Sequence, residues 1–201
     1  MAELNAALMA AFNAINRDFY NGELEKPIIT VKEGKTKKAF GWIETRKNWK
    51  QNGKDRHEIN ISVDFLGERT VTQTITTLMH EMVHLYNIQN GIKDCSRGGA
   101  YHNKKFKQTA EEHGLICQIN EIIGWSRTEP TDETKRWIEA NIPIKSFGVY
   151  KQVAEKEDRE SKPKQSMIKL VCPSCGAIAR ITNPNVHLSC IDCAEVLKVA
   201  E

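Results

Sequence analysis

The sequence has no long hydrophobic run and no N-terminus of the secretory type. None of its uninterrupted apolar stretches approaches the roughly 20 residues that a transmembrane helix needs. Glu3 lies where a secretory signal would be basic, and Asn5, Asn13 and Asn16 interrupt the apolar stretch that follows. We therefore expect no membrane association and no secretion. The expected location is the cytoplasm, or the nucleus if the source is eukaryotic.

The chain also lacks a strong net charge, and +3 is too small to imply a polyanionic partner by itself. Positive charge is concentrated between Lys32 and Arg56, which contains nine Lys or Arg and three acidic residues. Cations that neutralise phosphates beside aromatic rings that stack on bases predict a nucleic-acid surface. The alternative is a solvated basic hairpin whose aromatic rings point into the core. The candidate contact residues are Lys37, Lys38, Trp42, Arg46, Lys47, Trp49 and Lys50.

The six cysteines are not spread through the chain as in a disulfide scaffold. Four of them form two CxxC pairs separated by 14 residues, and the other two stand alone. Each CxxC turn offers two thiolates to one tetrahedral ion, and four sulfur ligands leave no open position, so this zinc is expected to be structural. The ligands are Cys172, Cys175, Cys190 and Cys193. The pattern predicts a zinc ribbon, with a redox CxxC as the alternative.

The spacing of apolar residues predicts an α+β fold with a small sheet and a central helix. Helices are expected over about 3–19, 70–89, 103–113 and 132–140, and strands over about 27–31, 39–45 and 57–63. The helix at 70–89 is apolar over more than half of its circumference and should therefore lie buried in the centre of the domain. Polar groups that point inward from it need partners.

The composition predicts two folded regions joined by a linker. Residues 1–150 form the main domain, and residues 151–166 are almost wholly polar and cannot bury enough apolar surface to order themselves. Residues 167–201 form the zinc ribbon, in which the stretch between the CxxC pairs predicts two strands and a turn at 183–185.

The central helix carries the motif His80-Glu81-Met82-Val83-His84, an HExxH sequence. Residues four apart on a helix share one face, so both imidazoles can reach one zinc ion. Zinc lowers the pKa of water to about 7 and polarises a carbonyl. Glu81 can accept a proton from that water and pass it to the leaving amine. The alternative is that both histidines are satisfied core residues, or that they hold a metal without catalysis.

A catalytic zinc requires a third protein ligand and one open position. The downstream candidates are His102, His113, Glu111, Glu112 and Asp94. We favour His102, because it follows a Gly-rich loop at the start of the next helix, where the chain can fold back. Glu111 and Glu112 would match peptidases that take a glutamate from a later helix, and His113 suits a helix C-terminus.

With these sites identified, the chain resembles the SprT-like zinc metallopeptidases, the family that includes Spartan. The resemblance rests on FYNGELEKPIITV after the first helix, on HEMVH, on YHNKKF and on CPSC…CIDC. It implies a zincin-like domain with His80, His84 and His102 as ligands and Glu81 as the catalytic acid and base. The family usually has glycine after the third histidine, where this chain has Asn103, and the insert around KDCSRGG lengthens the spacing.

The sequence thus predicts a zinc metalloendopeptidase with one catalytic and one structural zinc ion, acting on a protein substrate. The resemblance further implies action on DNA-associated proteins, with DNA as a partner in single-stranded form or crosslinked to protein. The alternative is an inactive zinc-containing module that binds DNA or protein. Hydrolysis of a non-peptide amide is a third reading. The intact Glu81 favours the enzyme, since a binding module needs no carboxylate there. Candidates for stabilising the oxyanion are Tyr101, Tyr86 and Arg97.

Overall fold

The computed structural model describes residues 2–34, 39–143, 147 and 167–200. The chain forms two compact units, Met1–Val153 and Ala154–Glu201. The predicted linker, residues 151–166, lies outside the described residues, as do Lys37 and Lys38. Helices and sheets both occur in the first unit, which confirms the α+β class.

Four α-helices are described in the first unit: α1 (Ala2–Phe19), α2 (Val71–Gln89), α3 (Lys104–Glu112) and α4 (Asp132–Asn141). Its strands are β1 (Ile28–Lys32), β2 (Gly41–Ile43), β3 (Trp49–Gln51), β4 (Lys54–Arg56), β5 (Glu58–Ser62), β6 (Cys95–Ser96), β7 (Tyr101–His102), β8 (Leu115–Asn120) and β9 (Gly124–Pro130). Short 3-10 helices cover Val63–Phe65 and Arg97–Gly99. All four helices coincide with those predicted from the sequence.

Helix α2 is the centre of the first unit, as its apolar circumference predicts. It packs against α1, α3 and α4 and against strands β2, β5 and β9. Its N-terminus is fixed by a capping box, in which Thr70 and Gln73 bond each other's backbone N–H groups. Helices α1 and α2 supply a large share of the core, including Leu4, Leu8, Phe12, Ile15, Ile75, Leu78, Met79, Met82, Val83 and Leu85. HExxH therefore sits on a rigid, buried helix.

The first sheet has the order β1-β5-β2, with β1 parallel and β2 antiparallel to the central β5. All five residues of β5 are buried, so its second face, with Glu58, Asn60 and Ser62, is covered as well. These polar groups have partners: Thr30 Oγ1 lies within hydrogen-bond distance of Glu58 Oε1, at 2.6 Å, and of Asn60 Oδ1, at 2.8 Å. Val63, predicted to end the strand, instead begins a 3-10 helix.

Strands β8 and β9 form a hairpin that the sequence analysis did not predict. It completes a four-stranded sheet of order β6-β7-β9-β8, in which β9 runs parallel to β7 and Gly124 lies opposite His102. Gly124 has a φ of +70°, and a Cβ there would clash with the His102 carbonyl oxygen. The glycine therefore permits the close approach of β9 that holds the backbone of His102.

The second unit contains a three-stranded antiparallel sheet of β10 (Ile168–Val171), β11 (Ile178–Ile181) and β12 (Lys198–Val199), with β10 in the middle. The predicted turn is present, since the Val186 N–H donates to the Asn183 carbonyl at 3.2 Å. The predicted second strand after this turn was wrong: among residues 167–200 that stretch makes a single bridge, Ser189 with Val196. The partner of β11 is β10, which precedes the first CxxC pair.

Across the described parts of both units, every helix is too short or too polar to cross a lipid bilayer.

Candidate active site and candidate zinc ribbon

The structure brings His80, His84 and His102 together at one point. The Nε2 atom of His102 lies 3.2 Å from Nε2 of His80 and 3.1 Å from Nε2 of His84. Ligand nitrogens around a tetrahedral zinc, at about 2.0–2.1 Å from the ion, are about 3.3 Å apart. The donor type, the separation and the convergence of one nitrogen from each ring all fit a zinc ion.

The environment of His80 and of His102 keeps these two imidazoles in the form that binds metal. Burial, together with the neighbouring His84, lowers the pKa of His102 to about 4. Burial and the two neighbouring histidines hold the pKa of His80 well below its ordinary value. Zinc binds the neutral form of imidazole, so neither His80 nor His102 has to lose a proton before it binds the metal at neutral pH.

Phe106 packs under all three rings, a contact that the sequence analysis did not foresee. Its ring centroid lies 4.7 Å from the rings of His80 and His84 and 4.6 Å from that of His102. Phe106 is fully buried in the first turn of α3, whose N-terminus is capped by Asn103. The Asn103 side chain accepts from the N–H groups of Lys105 and Phe106. Asn103 thus fixes the start of the helix that supports the histidines.

Asp94, a candidate third ligand in the sequence, instead contacts the far side of His84. Nδ1 of His84 donates to Asp94 Oδ2 at 2.7 Å, and Nδ2 of Asn87 donates to the same oxygen at 3.0 Å. Thr109 then donates to Asn87 at 2.8 Å, so the chain of bonds ties α2 to α3. A carboxylate in this position fixes the tautomer and the orientation of a metal-binding imidazole.

Replacing Asp94 with Asn is expected to weaken zinc binding at the histidine site about 10- to 100-fold. The amide cannot hold the His84 ring as a carboxylate does, so the ring loses its fixed tautomer. Chelator competition measures the affinity, and Asp132→Asn is the matched control because Asp132 has a 90% exposed side chain. Equal affinities in Asp94→Asn and the control would show that Asp94 does not orient the ligand.

The Nδ1 atoms of the other two histidines, His80 and His102, differ in their contacts. His80 Nδ1 hydrogen-bonds Thr128 Oγ1 on β9 at 3.1 Å. His102 Nδ1 is buried and has no partner among the described residues.

His84, Asp94 and Cys95 form a third group of side chains that could hold a metal ion. Burial raises the pKa of the Cys95 thiol to about 12. That thiol therefore stays protonated at neutral pH and is a poor ligand.

The remaining candidate third ligands lie away from the cluster. His113 caps the end of α3, where its Nδ1 bonds the Thr109 carbonyl and its ring stacks on Tyr20 at 4.1 Å. Glu111 pairs with Lys107 at 3.7 Å on the exposed side of α3, and Glu112 accepts from Gln108 on the same helix.

Glu81 lies beside the histidines at the wall of a cleft of about 400 Å³. The cleft is lined by Ala39, Phe40, Gly41, Arg69, Thr76, Thr77, His80, Glu81, His102, Ile123, Ser126, Arg127 and Thr128. Glu81 is only 5% exposed, and this burial, with Asp94 adding to it, raises the pKa of its carboxyl group to about 7. A carboxyl group with this pKa can both take and return a proton at neutral pH. Tyr101, Tyr86 and Arg97, the oxyanion candidates, are not among the residues that line the cleft.

Gly41 allows β2 to approach Glu81 closely. A Cβ at Gly41 would lie 2.8 Å from the Asn60 carbonyl oxygen, 2.8 Å from Thr77 Cγ2 and 3.4 Å from Glu81 Oε1. A side chain at this position would therefore push β2 away from α2 or displace the Glu81 carboxylate.

Gly41→Ala is expected to lower the free energy of unfolding by about 1–3 kcal/mol, as other overpacking substitutions do. Urea unfolding followed by tryptophan fluorescence measures it, since all four tryptophans lie in the first unit. Adding Thr77→Ser should recover part of the loss, because serine lacks Cγ2 but keeps the oxygen that accepts from Arg69. Unchanged stability in Gly41→Ala would contradict the close approach.

Four cysteines meet in the second unit, in line with a zinc ribbon. The sulfur atoms of Cys172, Cys175, Cys190 and Cys193 all lie within 4.8 Å of one another. Sγ of Cys175 and Sγ of Cys190 are 3.7 Å apart, close to the roughly 3.8 Å expected around a tetrahedral zinc with Zn–S bonds of about 2.3 Å. Backbone N–H groups of Cys175 and Ser174 lower the pKa of the Cys172 thiol to about 7. All six cysteines of the chain are free.

Among the described candidate nucleic-acid residues, Trp42 lies on β2, Arg46 and Lys47 lie between β2 and β3, and Trp49 and Lys50 lie on β3. Lys47 pairs with Glu25 at 2.7 Å and Lys50 lies 3.9 Å from Asp55, so acids partly neutralise both cations. Trp49 is 41% exposed, and its Nε1 donates to the buried Glu58 at 2.7 Å. Arg46 is exposed and Trp42 is half-buried. Contact with nucleic acid remains a prediction for these residues.

Comparison with known families gives one match: the model of the SprT-like family matches residues 8–122, more than half of the chain. The matched region contains the greater part of α1, the first sheet, α2 and α3, and so all three histidines and Glu81. A search of the curated proteins found no match.

Proposed function

The chain belongs to the SprT-like family, and from this premise we propose that it is a zinc-dependent endopeptidase with a zincin-like fold. Convergence of one Nε2 atom from each of His80, His84 and His102, beside the buried Glu81, carries this proposal. Three nitrogen ligands leave a tetrahedral ion with one open position, as in catalytic sites. Four sulfur ligands leave none, so the ion at Cys172, Cys175, Cys190 and Cys193 is structural.

When bound at the histidines, a zinc ion supplies Lewis acidity that activates water and polarises a peptide carbonyl. Glu81 accepts the proton of the attacking water and then delivers it to the leaving amine, for which its pKa of about 7 is suited. A hydrogen bond to Asp94 orients the His84 ring, and a hydrogen bond to Thr128 orients the His80 ring. Phe106 excludes water from the inner side of the site.

We further propose that the substrates are proteins associated with DNA. This part rests on family membership and on the basic, aromatic surface of β2 and the β3–β4 hairpin. The experiment is casein cleavage by the zinc-loaded chain, with and without single-stranded DNA. Cleavage that DNA accelerates supports both parts. Cleavage that is independent of DNA rejects only the proposal that the substrates are associated with DNA. Absence of cleavage under both conditions favours the inactive binding module.

A further inference from the structure

Arg69 precedes α2 and reaches along it into the cleft. Nη1 of Arg69 donates to Thr77 Oγ1 at 2.7 Å and Nη2 donates to the Gln73 carbonyl at 2.8 Å. The guanidinium carbon lies 4.1 Å from the ring centroid of Phe40, so the side chain is clamped between α2 and the residue before β2. Its direction is therefore fixed, and Arg69 is part of the wall of the cleft.

The charge of Arg69 is not neutralised by the protein. It has no acidic partner within the described residues, although it is half-buried. Burial lowers the pKa of Arg69 from its ordinary value, yet a guanidinium stays charged at neutral pH. A half-buried cation without an anion carries an unfavourable desolvation cost, which a bound anion would offset. Only two of its five N–H groups have acceptors among the described residues.

Cationic side chains outnumber carboxylates in the lining of the cleft. Arg127 on β9 is the second cation among its lining residues, and Glu81 is the single carboxylate. Phe40 and Ile123 supply apolar surface to the same cleft. The cleft therefore suits an anionic group carried on an apolar stem.

We propose that Arg69 forms a subsite of the cleft that binds an acidic side chain, Glu or Asp, of the peptide to be cleaved. This inference rests on the proposed peptidase function. It gives the cleft a preference for an acidic side chain, which neither HExxH nor the zinc ligands imply.

The position of the subsite follows from the helix. Thr77, which holds Arg69, lies four residues before Glu81, about 6 Å along the axis of α2. An extended peptide advances about 3.3 Å per residue, so the acidic side chain belongs within about two residues of the scissile bond. A nucleic-acid phosphate is the less suitable occupant, because at this distance its strand would fill the space that the peptide needs.

The test uses pairs of peptides that differ only in Glu or Gln at one of the three positions on either side of the scissile bond. We expect one position at which zinc-loaded wild type has a kcat/KM about tenfold higher for Glu, as a charge-assisted hydrogen bond gives. The Glu-to-Gln ratio should fall to near one in Arg69→Met. Arg136→Met is the matched control, since it removes an exposed cation from α4 and should keep the ratio.

A second readout does not depend on turnover. Fluorescence anisotropy measures binding of the same peptides to zinc-loaded Glu81→Gln protein, with and without Arg69→Met, and a single-stranded oligonucleotide serves as competitor. If Arg69→Met does not fold, Arg69→Lys replaces it, because lysine keeps the charge but loses the planar fork and should lower the ratio partway.

Each outcome bears on the subsite. A Glu preference that disappears with Arg69 supports it. Cleavage with a ratio near one at every position overturns it and leaves the peptidase function intact. Glu-selective binding without cleavage supports the subsite but rejects the peptidase. An oligonucleotide that binds through Arg69 and displaces both peptides equally would assign Arg69 to phosphate and overturn the proposal.

Discussion

Glu81→Gln is expected to lower kcat for peptide hydrolysis about 10²- to 10⁴-fold, the range of general acid–base catalysis. Glutamine has nearly the same shape but cannot take a proton from water. Because the candidate zinc ligands are His80, His84 and His102 and not Glu81, the variant should bind the same amount of zinc as wild type. Casein or quenched-peptide cleavage gives kcat, and atomic absorption gives the metal content.

The matched control is Glu112→Gln, an exposed carboxylate at the end of α3 that lies away from the histidines. It should cleave at the wild-type rate. Equal rates in wild type and in Glu81→Gln would mean that this site does not cleave the peptide, and the proposed peptidase function would be rejected. A variant that has lost its zinc as well would instead make Glu81 part of the metal site.

The second large effect is expected in the zinc ribbon. Cys190→Ser removes a buried sulfur ligand, and the metal content of the full chain should fall from two ions to one. Structural zinc in small modules contributes about 10–16 kcal/mol of apparent binding energy, which is also their folding energy. The second unit has little else to replace it, since Leu170, Cys172 and Cys190 are the buried apolar or sulfur side chains among residues 167–200.

Hydrogen exchange of the full chain measures this, because it reports each segment separately. Amides of β10, β11 and β12 should lose protection in Cys190→Ser, and those of α2 should keep it. Ser174→Ala, at an exposed position inside the first CxxC turn, should retain both ions and full protection. Two bound ions and a protected ribbon in Cys190→Ser would show that the four cysteines do not share one zinc.

The sequence predicted the helices and the family well, because both depend on short-range patterns. The 3.6-residue period of α1 and α2 is visible in the chain itself, and HEMVH occupies the helix that its chemistry requires. The match over residues 8–122 confirms the resemblance. His102 could be favoured because YHNKKF follows a Gly-rich loop at the start of a helix.

What the sequence could not predict depends on contacts between distant segments. The β8–β9 hairpin has exposed isoleucines at positions 116, 119, 122 and 123, which break the alternation expected of a half-buried strand. Asp94 looked like a ligand because carboxylates bind zinc, and only its contact with His84 Nδ1 gives it an orienting role. Gly41, Gly124 and Arg69 carry no local signal, since each acts through a neighbour that is remote in sequence.

The aromatic ring of Phe106 has a kinetic consequence. It seals one side of the three imidazoles, so metal ions must enter and leave by the opposite side, where His80 and His102 face the cleft. Peptide seated in that opening would then block the exit. The residence time of the ion should therefore lengthen when a peptide occupies the cleft, and chelators should remove the ion faster from the free protein than from the peptide-bound protein.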